Sequence, residues 1–135
     1  MSTITKYANV HTAITGGYTD PSNAYSDDGS YATAAPGKNS ERSAYFGFPA
    51  FTTSDIPDGA TINSVKVDLE FKVSTTSSVA TQYLQIFIGT TGIGSEQVNS
   101  GEPMTDTILE HLVTSGILLS DLRTADNVRG RLRSV

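Results

Sequence analysis

Residues 60–74 read ATINSVKVDLEFKVS. Val65, Val67, Leu69, Phe71 and Val73 fall on one side of an extended chain, and Lys66, Asp68, Glu70 and Lys72 fall on the other. Side chains in a strand point alternately to opposite faces, so this two-residue period predicts a strand with one dry face and one wet face. A helix would scatter the same side chains around its circumference. Five inward apolar side chains, at about 1.5–3 kcal/mol each, amount to roughly 7–15 kcal/mol before ordering entropy is subtracted. A lone strand cannot collect that energy. It requires a sheet beside it and another layer over its apolar face.

The chain is 135 residues long, enough for one domain with a core of its own, and residues 1–135 are expected to form a single unit. Hydrophobic residues make up 37%, with Ser, Thr, Gly and Asn filling the difference. That balance suits short strands joined by polar turns better than packed helices. There is no cysteine, which excludes disulfides and thiolate metal sites. No apolar run approaches the ~18 residues of a membrane span, and the N-terminus MSTITKYANV lacks the basic start and apolar stretch of a cleaved leader. Neither a membrane nor a nucleic acid is expected as a partner. The net charge of −5 opposes phosphate binding, which depends on clustered Lys and Arg.

Outward from the alternating stretch, residues 43–51 (SAYFGFPAF) read as a strand anchored by Tyr45, Phe46, Phe48 and Phe51. Gly47 and Pro49 place a bulge or a sheet edge there. Residues 55–59 (DIPDG) form the turn into residues 60–74. Residues 3–14 predict a first edge strand or an arm within residues 1–17, and Gly16-Gly17 and Asp20-Pro21 break it. Residues 20–39 are dense in turn formers, with Asp28-Gly29 the strongest, and read as a long loop with a short extended piece over 31–34. Tyr18, Tyr25 and Tyr31 would pin that loop down through their rings and leave their hydroxyls wet.

Residues 75–78 read as a loop, and residues 80–90 (ATQYLQIFIGT) as a strand apolar on both sides, hence interior to a sheet or at a subunit contact. Residues 92–103 read as a long loop. Residues 105–114 (TDTILEHLVT) fit a helical face as well as a strand, and the surrounding pattern favours strand. Residues 118–123 (LLSDLR) predict one helical turn capped by Ser120. Residues 127–135 close the sequence as a strand with Val128 and Leu132 inside and Arg129, Arg131 and Arg133 outside. Strands about every ten residues, with no helix long enough for a crossover, point to an all-β antiparallel sandwich, most simply a jelly roll. Because the sequence stops within a strand, a sheet edge or a slot filled by another subunit is expected there.

Four phrases occur in one order: Asp20-Pro21-Ser22-Asn23-Ala24, Asp28-Gly29-Ser30-Tyr31-Ala32-Thr33, Phe46-Gly47-Phe48 and Ile56-Pro57-Asp58-Gly59-Ala60-Thr61-Ile62. Together with the alternating strand and residues 122–132, that order resembles a group of β-sandwich domains in structural proteins of tailed bacteriophages and prophages. The resemblance spans roughly residues 18–133. It implies a galactose-binding-type jelly roll and a place in the virion as a tail, baseplate, appendage or head-decoration component. The partners implied are other virion proteins, capsid or tail, and further copies of the chain. Such domains usually finish with one more strand after the arginine-rich one; this sequence does not, so pairing in trans is the alternative to a shortened form.

Chemistry-bearing residues are sparse. The two histidines, His11 and His111, are far apart in sequence and read as structural. No G-x-S-x-G elbow, H-E-x-x-H, phosphate loop or dinucleotide fingerprint is present, so catalysis is not expected. No cofactor is expected. Calcium is the one metal to weigh, because Asp20, Asp27 and Asp28 share a loop, though the D-x-D-x-D-G pattern is missing. Glycan binding, as an alternative function, would draw on Tyr18, Asn23, Tyr25 and Asp27. Arg129, Arg131 and Arg133 repel one another on one strand face unless something acidic meets them, which makes the strip either a solvated face or a docking surface for an acidic neighbour.

Overall fold

A computed structural model describes residues 3–26, 29–34, 41–73, 81–101 and 103–135. Its regular elements are β1 (Val10–Thr15), β2 (Arg42–Gly47), β3 (Val65–Phe71), β4 (Gln82–Ile88), β5 (Thr91–Asn99), β6 (Thr107–Val113), a short helix α1 (Leu119–Leu122) and β7 (Val128–Ser134), with a 3-10 turn over Pro21–Tyr25. The strands form an antiparallel five-stranded sheet in the order β1-β2-β7-β4-β5 and an antiparallel two-stranded sheet, β3-β6. The fold is all-β.

The alternating stretch does form a strand with its expected faces. Val67, Phe71 and Val73 are buried, while Lys66, Asp68 and Glu70 are not. It is not central, however. Among the described residues β3 pairs with β6 alone, in register from Val65 opposite Val113 to Phe71 opposite Thr107. The smaller sheet lies over the larger one, β6 above β5 and β4, and β3 above β4. Val67, Leu84, Ile86, Ile117, Leu122 and Val128 form the core between the layers, flanked by Leu109, Val113 and Leu132. Gly130 of β7 makes room for it: a Cβ there would lie 3.2 Å from Val67 Cγ1.

The centre of the larger sheet is the arginine-rich strand. β7 pairs with β2 on one side and β4 on the other, so both its edges are occupied. The expectation of an open edge or slot at this strand is therefore corrected. β4 is interior as well, between β7 and β5, which explains why it is apolar on both faces.

The expected loop at residues 92–103 is also corrected, because Thr91–Asn99 form β5. As an edge strand it buries neither face fully, so its sequence TGIGSEQVN carries no apolar alternation to betray it. The available sign was the hairpin turn before it. Ile88 pairs with Thr91, leaving a two-residue connection that begins with Gly89 at φ 59°, a position that suits glycine in tight hairpins.

Smaller corrections follow from local chemistry. The first strand begins only at Val10, and it is the predicted edge. β2 ends at Gly47 without a bulge against β7 and lies between β1 and β7, so it is not at the sheet edge either. The helical turn is capped by Asp121, whose carboxylate accepts the Leu118 N–H at 2.8 Å, and not by Ser120, which lies inside it. The short extended piece reduces to one bridge, Thr33 with Thr19. Residues 75–78 lie outside the described residues.

Candidate functional site

On the outer face of the large sheet, the three arginines of β7 find their acidic partners within the chain. Arg133 donates to Glu96 through Nε (2.8 Å) and Nη2 (2.7 Å), and to Glu41 through Nη1 (3.1 Å). Arg131 donates to Glu96 at 2.8 Å and to Gln85 Oε1 at 3.1 Å. Arg129 grips Asp126 through Nε (3.1 Å) and Nη2 (3.0 Å), and reaches the Gly89 carbonyl at 3.3 Å. Each guanidinium also lies over a ring: Arg129 over Tyr45, Arg131 over Phe87 and Arg133 over Tyr83, at 5.1, 4.6 and 4.1 Å from the centroids.

Cross-strand spacing builds this ladder. Tyr45 stands opposite Arg131 in one pairing, and Tyr83 and Phe87 stand opposite Arg133 and Arg129 in the other. The hydrogen bonds that Arg133 donates hold the Glu96 carboxyl below its ordinary range, and their acceptance by Glu96 holds Arg133 further above its own. The mutual repulsion read from the spacing is thus balanced by Glu96, Glu41 and Asp126.

The opposite face opens into a cleft of about 2080 Å³, which extends round β3 to Lys66, Ile108 and Glu110. It opens beside β3, because β3 has no strand on its second edge among the described residues. Its floor includes Phe46, Phe48, Leu84 and Leu132, and residues 3–8 and 29–34 contribute to its walls. No described strand covers the β1–β2 end of that floor. A second apolar cluster there, Ala8, Ala44 and Phe46, is capped by Tyr18, Tyr25 and Phe48.

The loop aromatics sit where their rings were expected, but Tyr18 is not wet at its hydroxyl. Ser134 gives its proton to Gln82 Oε1 at 2.7 Å and so accepts from the Tyr18 hydroxyl at 2.9 Å. Burial pushes that phenol up to about 12. Asn23 Nδ2 donates to the Tyr31 carbonyl at 3.2 Å, and the Tyr31 ring carries Lys72 at 4.8 Å. Tyr18 and Asn23 both line the cleft, whereas Tyr25 packs on the second cluster. Asp27 and Asp28 lie outside the described residues, and with them most of the calcium reading. Among the described residues no three His, Asp or Glu side chains gather as a metal ion would need.

The residues missed from sequence are the carboxylates. Glu96 lies in the strand taken for a loop, and Glu41 and Asp126 flank strands whose pairing had to be known first. No protein-family model, curated protein or solved structure matches the chain.

Proposed function

We propose that this chain is a non-enzymatic structural subunit of a tailed-bacteriophage virion, a jelly-roll-type sandwich that attaches to or stabilises the particle as a decoration or tail-appendage component. The observation that carries this reading is that, among the described residues, β3 is paired on one side only, beside the cleft. A strand edge beside which no other described strand lies can present N–H and C=O groups whose natural complement is another extended backbone. The large sheet continues beneath the cleft, and in this reading a segment of chain from a neighbouring subunit is laid against β3 with its apolar side chains on the floor. Contacts of this kind need not be strong singly, because many copies on one particle raise the effective concentration. In this reading the arginine strip, Arg129, Arg131 and Arg133, serves docking as a charge-balanced polar surface. The order of phrases that resembles phage β-sandwich domains supports the assignment to a virion.

A second reading, recognition of host glycans, is favoured by the placing of Tyr18 and Asn23 on the cleft wall. Cosedimentation with assembled particles and a glycan array separate the two. The structural subunit is retained on particles, ignores sugars and loses retention in Leu69→Lys, at the inner side of β3, but not in Val98→Lys, exposed on β5 and outside the cleft lining. Sugar binding that disappears in Asn23→Ala, without retention on particles, would replace it with the glycan reading. Turnover of any substrate would end both.

A further inference from the structure

His111 stands on the inner face of β6, opposite Val67, and is 3% exposed. Its Nδ1 accepts the backbone N–H of Ile86, on β4 of the other sheet, at 2.8 Å. That N–H is available because the β4–β5 ladder is irregular there: Leu84 pairs with Gln97, but Ile86 pairs with Ile93. The bulge frees the Gly94 carbonyl too, and Gln85 Nε2 donates to it at 2.9 Å. Two side chains thus repair one break in the ladder, and one of them comes from the opposing layer. The ring occupies space that only glycine leaves, since a Cβ on Gly94 (φ 69°) would lie 3.0 Å from His111 Nε2.

An acceptor at Nδ1 requires that nitrogen to be unprotonated. Imidazolium would turn Nδ1 into a second donor aimed at the Ile86 N–H and place a charge between two apolar faces. Among the described residues nothing near it would compensate. Facing His111 are Val67 of β3, Ile86 of β4 and Gly94 of β5, and its neighbours on that side of β6 are Leu109 and Val113. The charged groups of those elements lie elsewhere. Lys66 and Asp68 of β3 and Glu110 of β6 are joined on the outer face of the small sheet, and Glu70 shares their side of β3. Glu96 of β5 and Tyr83 of β4 meet Arg133 on the outer face of the large one.

We propose that His111 is an acid-sensitive pin: neutral, it fastens the β3–β6 sheet to the bulge between β4 and β5, and protonation releases that sheet. Burial lowers its affinity for a proton, in agreement with this geometry. The larger sheet keeps its ladders when the pin opens, so release is a partial opening and not global unfolding. The inference stands whatever segment occupies the cleft.

The test is amide exchange and histidine NMR on the intact chain between pH 7.5 and 5. Protection of the Ile86 amide and of the β3–β6 amides, corrected for intrinsic exchange, should fall as pH drops below the ordinary histidine range. One linked proton allows up to about tenfold per pH unit. Protection in the β2–β7 ladder should hold. His111→Asn keeps an acceptor at the Nδ1 position and removes the titration, so its β3–β6 protection should be flat with pH. His11, whose Nε2 accepts the Tyr18 N–H at 3.2 Å, is the control: His11→Gln should retain the dependence. Constant Ile86 protection in the wild-type chain over this range would overturn the proposal, as would an unchanged dependence in His111→Asn. Should His111→Asn fail to fold, the wild-type exchange profile and the His111 ring titration decide alone.

Discussion

Glu96 and Arg133 are joined by two parallel hydrogen bonds across β4, a strand to which neither belongs. The carboxylate comes from β5 and the guanidinium from β7, and the Tyr83 ring of β4 lies beneath at 4.1 Å. Paired, planar geometry of this kind is stronger than a single ion contact. Both side chains are about a quarter exposed, which screens it.

Glu96→Gln should therefore destabilise the chain by about 1–2 kcal/mol, less than a fully buried charged bond would cost. Two arginines lose their shared partner at once. Urea denaturation of the variant and of wild type measures the difference, and no change in midpoint would show that the ladder is decorative.

The same pair sets a pH dependence. Its folded-state carboxyl is held below the usual value of 4.5, so the unfolded chain binds the proton more readily. Stability from Glu96 is complete above the unfolded value and is lost as pH falls through the folded one. Between pH 5 and 3, Glu96→Gln should lose less stability than wild type, so the two unfolding curves converge as the pH is lowered.

Gly47 leaves space for the partner of Arg129. A Cβ at that position would sit 1.7 Å from Asp126 Oδ1, within a carboxylate that Arg129 holds in place. Gly47→Ala should cost about 1–3 kcal/mol, as overpacking does. Asp126 itself has φ 57°, so Asp126→Gly removes the obstacle without backbone strain. In an Asp126→Gly background the cost of Gly47→Ala should shrink, and a double-mutant cycle by thermal unfolding reads the coupling.

Burial divides the leucines sharply. Leu84 is 0% exposed in the core, whereas Leu112, on the outer face of β6, is 56% exposed. Leu84→Ala should destabilise by about 2–5 kcal/mol and Leu112→Ala by under about 0.5 kcal/mol. Chemical denaturation of both variants checks the contrast and, with it, which face of β6 is turned inward.

What the sequence by itself determined is the strands with clean alternation; residues 107–113, which also fit a helical face, were legible only from the surrounding pattern. Residues 65–71 and 128–134 show alternation because burial on one side imposes it, and residues 82–88 show a two-sided apolar run because that strand is interior. An edge strand that is wet on both faces escapes this logic. β5 is wet enough on both faces to read as a loop, and only the glycine-led turn before it marks a hairpin. The candidate site was half legible: the arginines stood out, but their carboxylates lie 3, 35, 37 and 92 positions away. Strand order was decided by the tertiary structure alone. It put β7 in the middle, brought Glu96 over Tyr83 to Arg133, and set a β6 histidine against a β4 amide. The physical reason is that pairing energy is similar for any two compatible edges, so order emerges only from how the two layers bury each other.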